Sequence, residues 1–166
     1  EYDRELSPDR FELAAGKSVG TCGSATVRFR CSVSDLSAYD VLPNSSRLPV
    51  VNARVRAILE EVATEACEFV DATVVASDGA SNAYSVVVVT KKEDVLNRDE
   101  SVFSLVPGTD AIMGFSTLRY QGAVVHALAR EMSYLAHILV AERLREALLR
   151  ANVKGVFLPT PEELYP

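Results

Sequence analysis

The chain has 166 residues, a formal charge of −6 and a sequence pI of about 5.0. That length suits one domain, which buries roughly 70% of its unfolded surface and needs neither disulfide nor metal to fold. With 48% hydrophobic residues it is not a largely disordered chain, and its acidic balance, with no basic stripe, argues against nucleic-acid binding.

Cys22, Cys31 and Cys67 make an odd count without tight spacing. Reduced thiols in the cytoplasm are the simple expectation, and a Cys22–Cys31 pair the lesser alternative. No apolar run reaches the roughly 18 residues of a membrane span. Residues 1–10 are charged and carry no secretory apolar stretch.

Residues 1–24 read as a loosely ordered start, with Pro8, Gly16 and Gly20. Residues 25–33 alternate, placing Val27, Phe29, Cys31 and Val33 on one side of a half-buried strand. Residues 39–49 hold two prolines and form a loop. Asn52 is a good helix N-cap. It precedes an apolar face of Val55, Ile58, Leu59, Val62 and Ala66. Residues 68–76 and 83–90 should pair as an antiparallel hairpin around Asp78-Gly79. Four consecutive valines mark the second strand as buried on both faces. Residues 102–106 and 111–118 are strand candidates joined by Pro107-Gly108. Residues 122–136 suit either a helix or short strands, and the spacing of Val124, Val125, Leu128, Met132 and Leu135 leans towards helix. A final helix with Leu144, Ala147, Leu148 and Ala151 as its stripe stops at Asn152. Residues 155–158 then read as a strand and residues 159–166 as an extended tail.

The segment Val51-Asn52-Ala53-Arg54-Val55-Arg56-Ala57-Ile58-Leu59 aligns with Val140-Ala141-Glu142-Arg143-Leu144-Arg145-Glu146-Ala147-Leu148. Valine, both arginines, the apolar pair and the last leucine coincide. The fold expected is therefore α+β: an antiparallel sheet with two similar strand–helix–strand units, their helices packed on the sheet. The paired arginines suit solvated helix faces, where exposed ion pairs are worth roughly 0–1 kcal/mol.

These segments resemble immunity family eleven of bacterial polymorphic-toxin systems. The resemblance rests on Leu48-Pro49-Val50-Val51-Asn52-Ala53-Arg54-Val55, on the tyrosine-containing strand at residues 84–89, and on Asp94-Val95-Leu96-Asn97-Arg98-Asp99. It continues with Ile138-Leu139-Val140-Ala141-Glu142-Arg143-Leu144 and Gly155-Val156-Phe157, so it spans residues 40–158. Asn52 and Ala141 stand where the family has a serine cap, and residues 114–134 depart from its spacing. The resemblance implies a cytoplasmic, non-enzymatic immunity protein that occludes a cognate protein toxin. Many such toxins are nucleases with basic clefts. A close variant is an inhibitor holding a secreted enzyme silent until export.

Catalytic and cofactor signatures are sparse. Ala15-Gly16-Lys17-Ser18 lacks the leading glycine of a phosphate loop, because that position is Phe11. His126 and His137 have no paired cysteine or carboxylate to complete a zinc set. No Gly-x-Ser-x-Gly elbow is present. Neither a cofactor nor a metal is expected. Acidic residues cluster at residues 60–71 and 93–100, and a surface of this kind attracts a basic partner. Glu65, Glu68, Asp94, Asp99 and Glu100 are the partner-binding candidates. The competing reading is a small-ligand or enzymatic domain with a pocket between the two units, lined by a histidine and a carboxylate.

Overall fold

The computed structural model describes residues 1–17, 23–44 and 46–164. It is a mixed α/β fold whose sheets are mostly antiparallel.

The first sheet has the order β1-β4-β5-β3-β2. Its strands are β1 (Ala25–Arg28), β2 (Val41–Leu42), β3 (Val50–Asn52), β4 (Cys67–Val75) and β5 (Ala80–Val89). β4 and β5 form the expected hairpin around Asp78-Gly79, with a bulge between Ala72 and Val74. β1 lies parallel to β4, against the antiparallel expectation. Val86 and Val88 enter one apolar cluster with Val27, Val70 and Val74; Val87 and Val89 enter a second with Val55, Leu59, Leu144 and Leu148. The valine run is thus buried on both faces, because alternate residues of a strand point to opposite sides.

The described start is ordered, contrary to expectation. Tyr2 is buried and bridges Val27, and Asp9 caps the short α1 (Arg10–Ala14), whose Leu13 is fully buried. The strand expected at residues 25–33 ends early. Ser32 and Asp35 form a capping box that starts α2 (Val33–Ser37), diverting Val33 from the strand. Cys22 lies outside the described residues; Cys31 and Cys67 are free thiols.

α3 (Ala53–Val62) begins at Asn52, whose side chain accepts from the Val55 amide at 3.1 Å. The second sheet has the order β10-β9-β6, built from β6 (Lys92–Glu93), β9 (Leu128–Glu131) and β10 (Ile138–Val140). A two-stranded hairpin, β7 (Val102–Leu105) and β8 (Ile112–Thr117), stands as a separate sheet. β9 replaces the helix favoured at residues 122–136. All four of its residues are buried, Arg130 and Glu131 included, so no polar face exists for a helix to turn to water.

α4 (Glu142–Arg150) follows β10, packs against α3 through Leu144 and Leu148, and stops where Asn152 takes a left-handed φ of 50°. The expected strand at residues 155–158 is absent; that segment is irregular. The tail is not simply extended, since Thr160 and Glu163 cap a single turn, α5 (Pro161–Leu164).

Candidate functional site

The acidic candidates occupy two places. Glu65 is exposed in the turn after α3, and Glu68 is half-buried on β4 opposite Val88. Asp94, Asp99 and Glu100 are exposed on the segment between β6 and β7. The amides of Asp99 and Glu100 both donate to the Asn97 side chain, at 3.2 and 3.3 Å, which fixes that turn. Their neighbour Glu93 turns inward instead. Its carboxylate accepts from the amides of Val125 and His126 and meets the His126 ring at 2.8 Å. Burial works to raise the Glu93 pKa, but these donors hold it below its ordinary value.

Asp99 and Glu100 lead directly into the β7–β8 hairpin. One side of the hairpin packs Phe103, Ile112 and Phe115 inward. Val102, Leu105, Val106 and Met113 remain exposed. Arg98 is drawn over the Phe103 ring at 5.7 Å and bonds Ser133 at 3.0 Å, fastening the hairpin base. An apolar surface beside acidic groups is thus carried on a two-stranded sheet of its own.

A second feature lies between the two strand–helix units. A cavity of about 390 Å³ is walled by Val51, Val55 and Leu59 on one side and Val140, Leu144 and Leu148 on the other. Residues 155–158 and the loop after β2 cover it. Beside it runs a cleft of about 530 Å³ lined by Tyr120, His137, Glu142 and Arg145. The Tyr120 hydroxyl lies 3.1 Å from His137 Nδ1, and the imidazole stacks on Phe115 with ring centres 5.5 Å apart. Burial, then the Arg47 charge, lower the His137 pKa, so the ring is neutral at pH 7. Glu142 is engaged by Arg145 at 3.2 Å. The cleft therefore gathers a histidine and a carboxylate, as the competing reading requires, but that carboxylate serves an ion pair.

Asp40 is the polar residue that sequence reasoning missed. Buried beside α3, it accepts from the Asn52 side chain at 2.9 Å and from the Lys154 amide at 2.8 Å. Arg54 reaches it at 3.5 Å and also donates to the Ala151 carbonyl. Asp40 thereby joins the start of α3 to the end of α4. The two arginines of the first unit are more than solvated: Arg56 bonds Ser85 at 3.1 Å, pairs with Glu60 and Asp71, and lies over Phe69.

Comparison with protein-family models gives no match, and comparison with curated proteins gives no significant one.

Among the described residues no group of three or more His, Cys, Asp or Glu could hold a metal ion, and no helix is long and apolar enough to cross a membrane. Burial pushes the Cys67 thiol up to about 11, with the Glu60 charge adding to it. A thiol protonated at neutral pH is a poor nucleophile.

Proposed function

We propose that the chain is a cytoplasmic protein-binding inhibitor of the immunity kind, which occludes a basic protein toxin. The β7–β8 hairpin is the observation that carries this reading. Its exposed Val102, Leu105, Val106 and Met113 adjoin Asp99 and Glu100. Apolar anchors with a charged rim are the usual make-up of a protein interface. The resemblance to immunity family eleven supports the same reading, with the two strand–helix units as copies of one ancestral segment and the scaffold for the hairpin. Glu65, Glu68 and Asp94 then add to the acidic field that steers the partner, without forming the hairpin's own rim. The test is co-expression with the neighbouring reading frame. Rescue from a lethal neighbour, abolished by Met113→Asp with Val102→Asp, is the expected outcome. A harmless neighbour that never co-purifies with the chain defeats the proposal.

A second reading is favoured by the cavity between the units: a domain that takes up a small apolar ligand. Pockets of about 300–1,000 Å³ with few polar groups are the common form of such sites. It predicts ligand-dependent stabilisation of the isolated chain, measured by thermal melting against a panel of small apolar compounds.

A further inference from the structure

We infer that the cavity between the two strand–helix units binds an acyl chain whose terminal carboxylate is held by Arg47. This deepens the second reading and rests on it.

The walls are apolar side chains from both units, so water inside finds few partners. At about 30 Å³ per molecule the space would hold on the order of ten waters. Replacing them with a hydrocarbon chain is favourable in proportion to the apolar area covered. Of the described lining residues only Arg47 is charged. It is exposed at the rim, and its guanidinium has no hydrogen-bond or ionic partner among the described residues. Its backbone sits at a φ of 55°, a left-handed conformation costly for arginine. Asn44, the other polar lining side chain, is committed: its amide donates to the Leu48 and Leu42 carbonyls, and its oxygen accepts from Ser46. Among the described lining residues the rim thus offers one cation, with the Asn44 side chain already committed, which favours an anionic head.

The cover is fastened at one end only, among the described residues. Asp40 and Val41 donate to the Lys154 carbonyl at 3.0 Å, anchoring the strap just before Gly155. Beyond it, residues 156–159 make no backbone hydrogen bond among the described residues. Val156, Phe157 and Leu158 line the cavity, and Phe157 is 78% exposed. A chain can therefore enter beneath the strap without breaking a sheet.

Decanoate and decanol, each kept below its aggregation concentration, are titrated into the chain by calorimetry. Decanoate is expected to bind and raise the melting temperature, and to bind more tightly than decanol. Arg47→Gln, an exposed change, should weaken decanoate about tenfold and leave decanol unaltered. Leu158→Trp should fill the space and weaken both. Equal affinities, or an Arg47→Gln variant that keeps full decanoate affinity, overturn the carboxylate assignment and leave the cavity reading standing. No binding of either compound to the folded wild-type chain overturns both.

Discussion

A buried carboxylate survives only where donors replace its lost water, and Asp40 and Glu131 lie on opposite sides of that condition. Asp40 faces the Lys154 amide, Asn52 and Arg54. Burial acts to raise its pKa, yet these donors together hold it below the ordinary 3.8. Its stabilising contribution is therefore present above the unfolded-chain value and is lost as the pH falls through the folded one. Asp40→Asn turns an amide towards donors, and should cost roughly 2–3 kcal/mol by urea unfolding at neutral pH. Glu131 accepts from the Tyr134 amide at 2.6 Å through one oxygen, and the Ser133 and Leu96 amides also act on the carboxylate, but among the described residues its other oxygen has no well-aligned donor. Burial, and then the charge of Asp94, raise its pKa. The sign is opposite: stability is present below the unfolded-chain value and is lost as the pH rises through the folded one. Glu131→Gln should melt higher relative to wild type at about pH 7 than at about pH 4, and an advantage independent of pH would contradict this assignment. Neither role was legible beforehand. Asp40 meets Lys154 across 114 residues, and no local pattern announces such a pair.

Elements whose signals are local were readable. Asn52 and Asn152 bound their helices, and Asp78-Gly79 and Pro107-Gly108 turn their hairpins, because each acts through its own backbone. β9 was misread because Val124, Val125, Leu128, Met132 and Leu135 keep helical spacing in sequence, whereas long-range packing draws residues 128–131 into a strand and buries all four. The return strand at residues 155–158 failed for a similar reason. Gly155, at a φ of 88°, presses so closely on β2 that an added Cβ would lie 2.1 Å from the Val41 carbonyl oxygen. That contact sends the chain across the cavity instead of along a strand edge. Gly155→Ala should therefore destabilise more than Gly108→Ala, whose φ is 77° but whose surroundings are open. Urea midpoints of the two variants decide it, and equal losses would leave backbone strain as the only effect. The helix starts give a matching pair. α4 has no side-chain cap at Ala141. Ala141→Ser should gain about 1 kcal/mol, and Asn52→Ala should lose more than that, because it removes both the cap and a donor to buried Asp40.

Across the whole molecule, a charge of −6 directs a basic partner towards the chain but does not say where it lands. Two acidic surfaces compete: Glu65 and Glu68 near β4, and Asp99 and Glu100 at the hairpin base. Only the second adjoins a group of exposed large apolar side chains on its own element. Charge at a rim mainly sets the association rate, whereas buried apolar anchors set the lifetime of a complex. The two contributions therefore separate in a kinetic experiment with the protein that co-purifies. Reversing Asp99 and Glu100 to lysine should slow association, and the wild-type rate should fall towards that of the variant as salt rises from about 0.05 M to about 0.5 M. Met113→Asp should leave association nearly unchanged and hasten dissociation. If instead Glu65→Lys with Glu68→Lys slows association and the hairpin variants change neither rate, the partner docks beside β4, and the hairpin's exposed face has another purpose.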